Sequence, residues 1–264
     1  MKTEWSSLFV HFHRSEYPFV ERCLDWIKQT IYNHQEIVTP FLDPREQQIL
    51  VQLISREPRL KYNREGGIHG AERCRIQLGL SEWIEYASPI PIAFLRISAR
   101  SKKRLLHHQV LGSLLGLGIR RDQIGDLYPH ADGCDVIVSG EMGSYIPFHL
   151  EKVGKERVRV EEIQRDQLIR EEPKKSTKWV VLSSLRLDTV ISEGYRLSRA
   201  QSSKLIRSGK CKVNFWITDK PDYLVEEGSL LSLRGYGRVS VDKIERRTKK
   251  GKWLVCLGVF PKTN

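Results

Sequence analysis

The sequence predicts an α+β protein: an N-terminal helical part, a middle small α/β sandwich, and a C-terminal part with two helices on a small sheet. Three features predict it. Apolar residues recur at spacings of three and four in residues 1–58, the period of a helix face. Residues 59–165 change to alternating and β-branched stretches with two helix-like segments among them. The formal charge of +12 is confined to the end of the chain: residues 1–173 hold 24 Lys and Arg against 24 Asp and Glu, and residues 174–264 hold 20 against 8.

In the first part, Phe19, Val20, Cys23, Leu24, Ile27 and Ile31 give Tyr17–Tyr32 one apolar face, and Pro18 suits its first turn. A second helix is expected after Asp43, which can cap, and Pro44, with Ile49, Leu50, Leu53 and Ile54 as its stripe and Pro58 as its stop. In the middle part, strands are expected at Leu60–Asn63, Arg73–Leu80, Ile92–Ser98, Val136–Val138 and Arg157–Val160. Helices are expected at Leu105–Leu117, stopped by Gly118, and at Glu141–Leu150. Helices on one face of the sheet would leave the other face free, as in RNA-recognition-like folds, an analogy of fold only. The charged stretch 161–180, with Pro173, reads as a connecting helix or linker, flexible near Glu172–Thr177. The expected domains are 1–70, 71–165, a linker at 166–180, and 181–264.

A C-terminal part this basic points to a polyanion, either nucleic acid or an anionic membrane, against the plainer reading of a solubilising surface. No apolar run of about 20 residues is present to span a membrane, and the first 16 residues lack the apolar core of a leader. The five cysteines show no C-x-x-C spacing, which fits a reducing cytoplasm and suggests neither zinc nor a disulfide framework.

Leu187, Val190 and Ile191 mark a short helix ending near Gly194. Ser198 with Gln201 three residues on is a capping-box pattern, and the helix behind it buries Leu205 and Ile206 and stops at Gly209. Arg199, Lys204 and Arg207 remain exposed there, and cations beside free N–H groups at a helix start can hold phosphate oxygens. The strand Cys211–Phe215 points Cys211, Val213 and Phe215 inward and Lys212 and Asn214 outward. Leu230–Leu233 is a further strand, and Val239–Ile244 with Trp253–Phe260 forms a hairpin across the loop Thr248–Lys252. In Arg234-Gly235-Tyr236-Gly237-Arg238 two arginines flank an aromatic: guanidinium binds phosphate in bidentate fashion, and Tyr can stack on a base. The candidate RNA contacts are Arg186, Ser198, Arg199, Lys204, Arg207, Lys212, Asn214, Arg234 and Arg238. A second candidate patch lies in the run Arg96–Arg121, which contains no acid: Arg100, Lys102, Lys103, Arg104, Arg120 and Arg121, with Arg96 beside them. A solvated loop explains that run equally well.

The order R-L-D, L-S-R, L-I-x-x-G-x-x-x-V-N, K-P, E-G and R-G-x-G-R over Ser183–Arg238 resembles the S-four (alpha-L) RNA-binding domain. Many members of that family carry an acid after E-G; here the residue is Ser229, a departure that bears on turn capping. Phe41–Leu50, Gly70–Arg73, Val110–Arg121 and Ile124–Asp126 extend the likeness to nearly the whole chain, which resembles the bacterial YlmH family. The resemblance implies an N-terminal part, a middle RNA-binding domain and the alpha-L domain. It further implies a non-enzymatic factor on the large ribosomal subunit carrying peptidyl-tRNA in ribosome-associated quality control, with rRNA and tRNA as partners; some members are linked to cell division. A cytoplasmic monomer without cofactors is expected.

Enzyme readings are weaker. Arg186-Leu187-Asp188 resembles the catalytic context of pseudouridine synthases, but the T-S-G continuation is absent, so Asp188 reads as a structural acid. A G-x-G-x-x-G loop would need glycine where Arg121 stands, and His11, His13, His107 and His108 complete no metal motif. The alternatives are an RNA-modifying enzyme, pseudouridine synthase-like or methyltransferase-like, and a division scaffold with secondary RNA binding.

Overall fold

The computed structural model describes residues 9–171, 175–247 and 251–260. Residues 1–8, 172–174 and 248–250, which include part of the expected flexible linker and of the last hairpin's loop, lie outside them. Two compact units divide between Glu171 and Glu172.

The first unit opens with helices α1 (Tyr17–Tyr32) and α2 (Pro44–Ile54). Their stripes, including Val20, Cys23, Leu24, Ile27, Ile49, Leu50 and Leu53, form one core. Asp43 caps α2 by accepting the N–H groups of Arg45 and Glu46, both at 2.9 Å, and Glu46 returns a carboxylate to the Asp43 N–H at 2.8 Å. The helices share this part with an antiparallel sheet of β1 (Ile37–Val38), β2 (Leu60–Glu65) and β3 (Arg75–Leu80), in the order β1-β3-β2. The strands expected at Leu60–Asn63 and Arg73–Leu80 therefore belong to the N-terminal layer, and a boundary at 70/71 would cut between two paired strands. The polar residues that mask β3 as a core strand are buried with partners: Arg75 donates to Thr39 O and Pro91 O, and Gln77 to Glu36 and Ser88 O.

The rest of this unit is a sheet of β4 (Ile92–Ala99), β5 (Ile124–His130), β6 (Gly133–Ser139), β7 (Lys152–Val153) and β8 (Glu156–Ile163), in the order β5-β6-β4-β8-β7. Helices α3 (His107–Gly116) and α4 (Gly140–His149) pack through Val110, Leu114 and Ile146 onto Leu95, Ile97, Val136 and Val138. The sequence pattern did not show β5, whose run is interrupted by Gly125, Asp126 and Pro129. The second face of the sheet is not free as expected. Phe41 from the N-terminal part buries itself against Phe94, Ile137 and Ile163, with Leu168 beside them. Gly67 makes this possible: its φ is +91°, and a Cβ there would lie 2.6 Å from Ile137 Cδ1. On the same face the buried Asp135 accepts from Arg96 at 2.9 and 2.8 Å, from the Ile169 N–H at 2.8 Å, and pairs with His130 at 3.1 Å.

The second unit holds β9 (Ser176–Leu182), α5 (Leu187–Tyr195), α6 (Arg199–Arg207), β10 (Cys211–Val213), β11 (Trp216–Ile217), β12 (Leu230–Leu233), β13 (Gly237–Arg247) and β14 (Trp253–Val259). The six-stranded order is β11-β10-β12-β13-β14-β9. Leu187, Val190, Ile191 and Ile206 of the helices meet Cys211, Val213, Leu231, Leu233, Val239 and Leu257 of the sheet. Two readings are corrected. Residues 176–180 are a strand paired along β14 and not linker, because Val180 and Leu182 turn into this core. The strand from Cys211 stops at Val213, and Asn214 and Phe215, at φ +48° and +68°, form the two-residue turn into β11. Phe215 therefore does not enter the core.

Candidate nucleic-acid interface

Asp188 organises the start of both helices in the second unit. Its side chain is only 4% exposed. Arg186 donates to both of its oxygens at 3.2 Å, Arg199 donates from Nε at 3.3 Å, and Thr189 and Ser203 hydroxyls approach at 3.3 and 3.4 Å. Burial alone would raise this carboxyl's pKa; the bonds and charges of Arg186 and Arg199 outweigh it and hold the pKa below the usual carboxylate range. The acid thus stays ionised and fixes the guanidinium groups of two arginines whose side chains remain 37% and 59% exposed. Bidentate recognition of phosphate needs oriented guanidinium planes, which this clamp supplies.

Ser198 caps α6: its Oγ accepts the Gln201 N–H at 3.2 Å, and Gln201 Oε1 accepts the Ser198 N–H at 3.2 Å. Helix α6 contains no acid, and Arg199, Lys204 and Arg207 are exposed on it. Beyond it, the Arg234 N–H donates to Lys210 O at 3.0 Å, continuing the β10–β12 ladder past Cys211↔Leu233. Lys210 and Arg234 are therefore neighbours on the face away from the core, and Lys212, Ser232 and Arg238 form the next row of that face. Lys210, exposed like Arg234, was missing from the sequence candidates, as was Ser203; only the strand register and the helix pairing bring them into the set. Arg238 lies over the Phe215 ring at 5.6 Å. Tyr236 packs edge-on against Tyr195 at 6.0 Å and is half-buried, so its ring is not presented as an open stacking platform. Asn214 uses its side-chain oxygen to accept the Leu230 N–H at 2.8 Å, which gives it a turn-closing role. Ser229 does cap a turn, accepting the Glu226 N–H at 3.1 Å.

The run Arg96–Arg121 does not form one surface. Arg121 donates to Ile124 O at the start of β5, and Arg104 to Pro129 O near its end. Five residues of strand separate those carbonyls, about 16 Å. Arg121 is half-buried, and burial lowers its pKa to about 10. Acids from outside the run meet most of the others: Asp122 on Arg120 at 3.0 Å, Glu171 on Arg104 at 2.7 Å, and Glu156 near Lys103 at 3.9 Å. Arg100 and Lys102 are exposed without an ion pair among the described residues.

Three family models match the chain: "YlmH, N-terminal" over residues 15–83, "Putative RNA-binding domain in YlmH" over 90–167, and "S4 domain" over 185–231. A curated relative from Bacillus subtilis (strain 168), ribosome-associated protein quality control protein P2, is 33% identical over 255 residues, covering 95% of this chain and 97% of the relative. The chain belongs to the YlmH family. The YlmH models separate the first two parts between Trp83 and Ile90, in agreement with the pairing of β3. A solved structure, cell division protein ylmH from Streptococcus pneumoniae, shares the fold with a TM-score of 0.53 at 23% identity, covering 60% of this chain and 97% of that one. Among the described residues no helix is long and apolar enough to cross a membrane, and no group of three or more His, Cys, Asp or Glu could hold a metal ion.

Proposed function

We propose that this chain is a non-catalytic RNA-binding factor that grips rRNA and tRNA on the large ribosomal subunit carrying peptidyl-tRNA, in ribosome-associated quality control. The observation that carries the reading is the Asp188 clamp: a buried carboxylate orients Arg186 and Arg199 beside an acid-free helix. Lys210, Lys212, Arg234 and Arg238 then continue the positive surface on the adjoining sheet. The ribosomal setting is supported by the name of the Bacillus subtilis relative. The clamp also weighs against a pseudouridine synthase reading, because Asp188 is enclosed by four donor side chains and not presented to a substrate. The protein acts as a cytoplasmic monomer without a cofactor.

The test is co-sedimentation with large ribosomal subunits through sucrose gradients. Arg199→Ala with Arg234→Ala is expected to release the protein, and wild-type binding is expected to fall steeply between low and moderate salt. Salt-independent binding, or undiminished co-sedimentation of the double variant, overturns the reading.

A further inference from the structure

Arg100, Arg157 and Lys152 stand in one row across the open end of the middle sheet. Arg157 faces Lys152 directly in the β7–β8 ladder. The Arg100 N–H donates to Arg157 O at 3.0 Å, one step past the Ala99↔Val158 pair of β4 and β8. Adjacent strands lie ~4.8 Å apart, so three like charges fall within about 10 Å. All three side chains are exposed, and none makes an ion pair among the described residues. Like charges directly opposite one another weaken a sheet, so the row needs a reason other than stability.

The row borders an open groove of about 780 Å³. Arg100, Lys152, Arg157 and Arg159 line it with Pro147, and Glu151 is the acid in that lining. Arg159 has a partner, Glu161 at 3.6 Å, in an exposed pair that contributes little. Next to Pro147, at the end of α4, Phe148 is 83% exposed, and Tyr145 stacks on His149 with centroids 4.0 Å apart.

We infer that this groove binds single-stranded or looped RNA, its cationic row taking successive phosphates and Phe148 taking an unstacked base. Exposed aromatics beside cations are how proteins hold unpaired bases, and an acidic protein helix offers nothing flat for Phe148 to stack on. Beyond Val158, whose N–H donates to Glu151 O at 3.0 Å, the outer edge of β8 pairs with no other strand among the described residues, but the charges of Arg159, Glu161 and Glu162 guard it against strand addition. The inference rests on the proposed RNA-binding role and adds a surface on the first unit.

The experiment measures fluorescence anisotropy of the full-length protein with a labelled oligouridine and with a blunt RNA duplex of equal length. Lys152→Glu with Arg157→Glu is expected to weaken oligouridine binding at least tenfold and to reduce the slope of log Kd against log salt by about 1.4. Phe148→Ala is expected to weaken oligouridine binding at least fivefold and leave duplex binding unchanged. Lys152→Glu alone replaces a like-charge pair by an opposite one, so its Tm should equal or exceed that of wild type while RNA binding falls; this separates the effect from misfolding. Unchanged RNA affinity in these variants overturns the inference. So does loss of poly-glutamate binding with RNA binding intact, which would assign the groove to an acidic protein. Arg199→Ala with Arg234→Ala reports separately on the second unit. If that variant alone loses RNA, the groove falls and the proposed function stands; if only the groove variants lose it, the reverse holds; if none does, both fall.

Discussion

Asp188→Asn separates positioning from charge. The substitution keeps the shape of the side chain but removes the charge that Arg186 and Arg199 face at 3.2 and 3.3 Å. Hydrogen bonds to charged groups contribute about 1.5–3 kcal/mol, and this acceptor is nearly enclosed. Its partners reach into water, so screening reduces the loss to about 1–2 kcal/mol. In a domain of this size that corresponds to a fall of roughly 5–12 °C in the transition of the second unit, measurable by scanning calorimetry. The carboxyl is held below its ordinary pKa, so its stabilising contribution is complete above the usual carboxylate range and is lost only as pH falls below it. The Tm difference between wild type and Asp188→Asn should therefore be constant near neutrality and vanish in acid. The effect on RNA decides the role. Net charge becomes one unit more positive, so a purely electrostatic surface would bind RNA more tightly. If Asp188 orients two phosphate-binding guanidinium groups, affinity falls about three- to tenfold instead. Tighter binding by Asp188→Asn would refute the clamp.

Three further outcomes are expected. Phe41→Ala empties the contact that seals the second face of the middle sheet and should cost about 3–5 kcal/mol, read as an earlier urea transition confined to the first unit. Asp135→Asn leaves Arg96 without its counter-charge and should cost about 3 kcal/mol; because this carboxyl too is held below its ordinary pKa, by Arg96 against the opposing effect of burial, the loss should shrink as pH falls below the carboxylate range in acid-unfolding curves. Asn214→Gly keeps a residue suited to φ +48° and should leave ribosome co-sedimentation unchanged if Asn214 closes a turn; released protein with an unaltered Tm would assign it a direct RNA contact.

The parts of the molecule legible in the sequence are those set by neighbours along the chain. The stripe of α1, the cap at Asp43, and the Ser198–Gln201 box each depend on residues within four positions, and each stands where the pattern placed it. The errors arise where distant segments decide. The strand expected in the middle part at Arg73–Leu80 pairs instead with β1 and β2, and Thr39, Glu36, Ser88 and Pro91 supply the partners of its Arg75 and Gln77. Phe41 gives no sign that it covers a sheet more than fifty residues away. At the candidate site, Arg186 and Arg199 were visible as cations, but their common anchor on Asp188 spans 11 residues and two helices. Lys210 joins Arg234 only through the β10–β12 register.

Charge shows the same division most clearly. The first unit is close to neutral by composition, with 24 Lys and Arg against 23 Asp and Glu in residues 1–171, and the run Arg96–Arg121 was its one conspicuous basic stretch. That run is largely neutralised, since Asp122, Asp135, Glu156 and Glu171 reach its arginines and Lys103 from outside it. Its surviving cation at the groove is Arg100, and the two residues that complete the row, Lys152 and Arg157, lie some fifty residues further on, in a stretch rich in glutamates. A balanced local sequence thus folds into an unbalanced surface, because strand pairing places three cations side by side and leaves Glu151 as the acid beside them at the groove. Net charge pointed to the second unit's candidate interface, but in the first unit the informative quantity is which cations the fold leaves facing one another. Reversing Lys152 tests that distinction with little change in composition: if composition governed binding, its effect would match that of reversing any other exposed lysine of the first unit, such as Lys28, whereas the row predicts a much larger loss at Lys152.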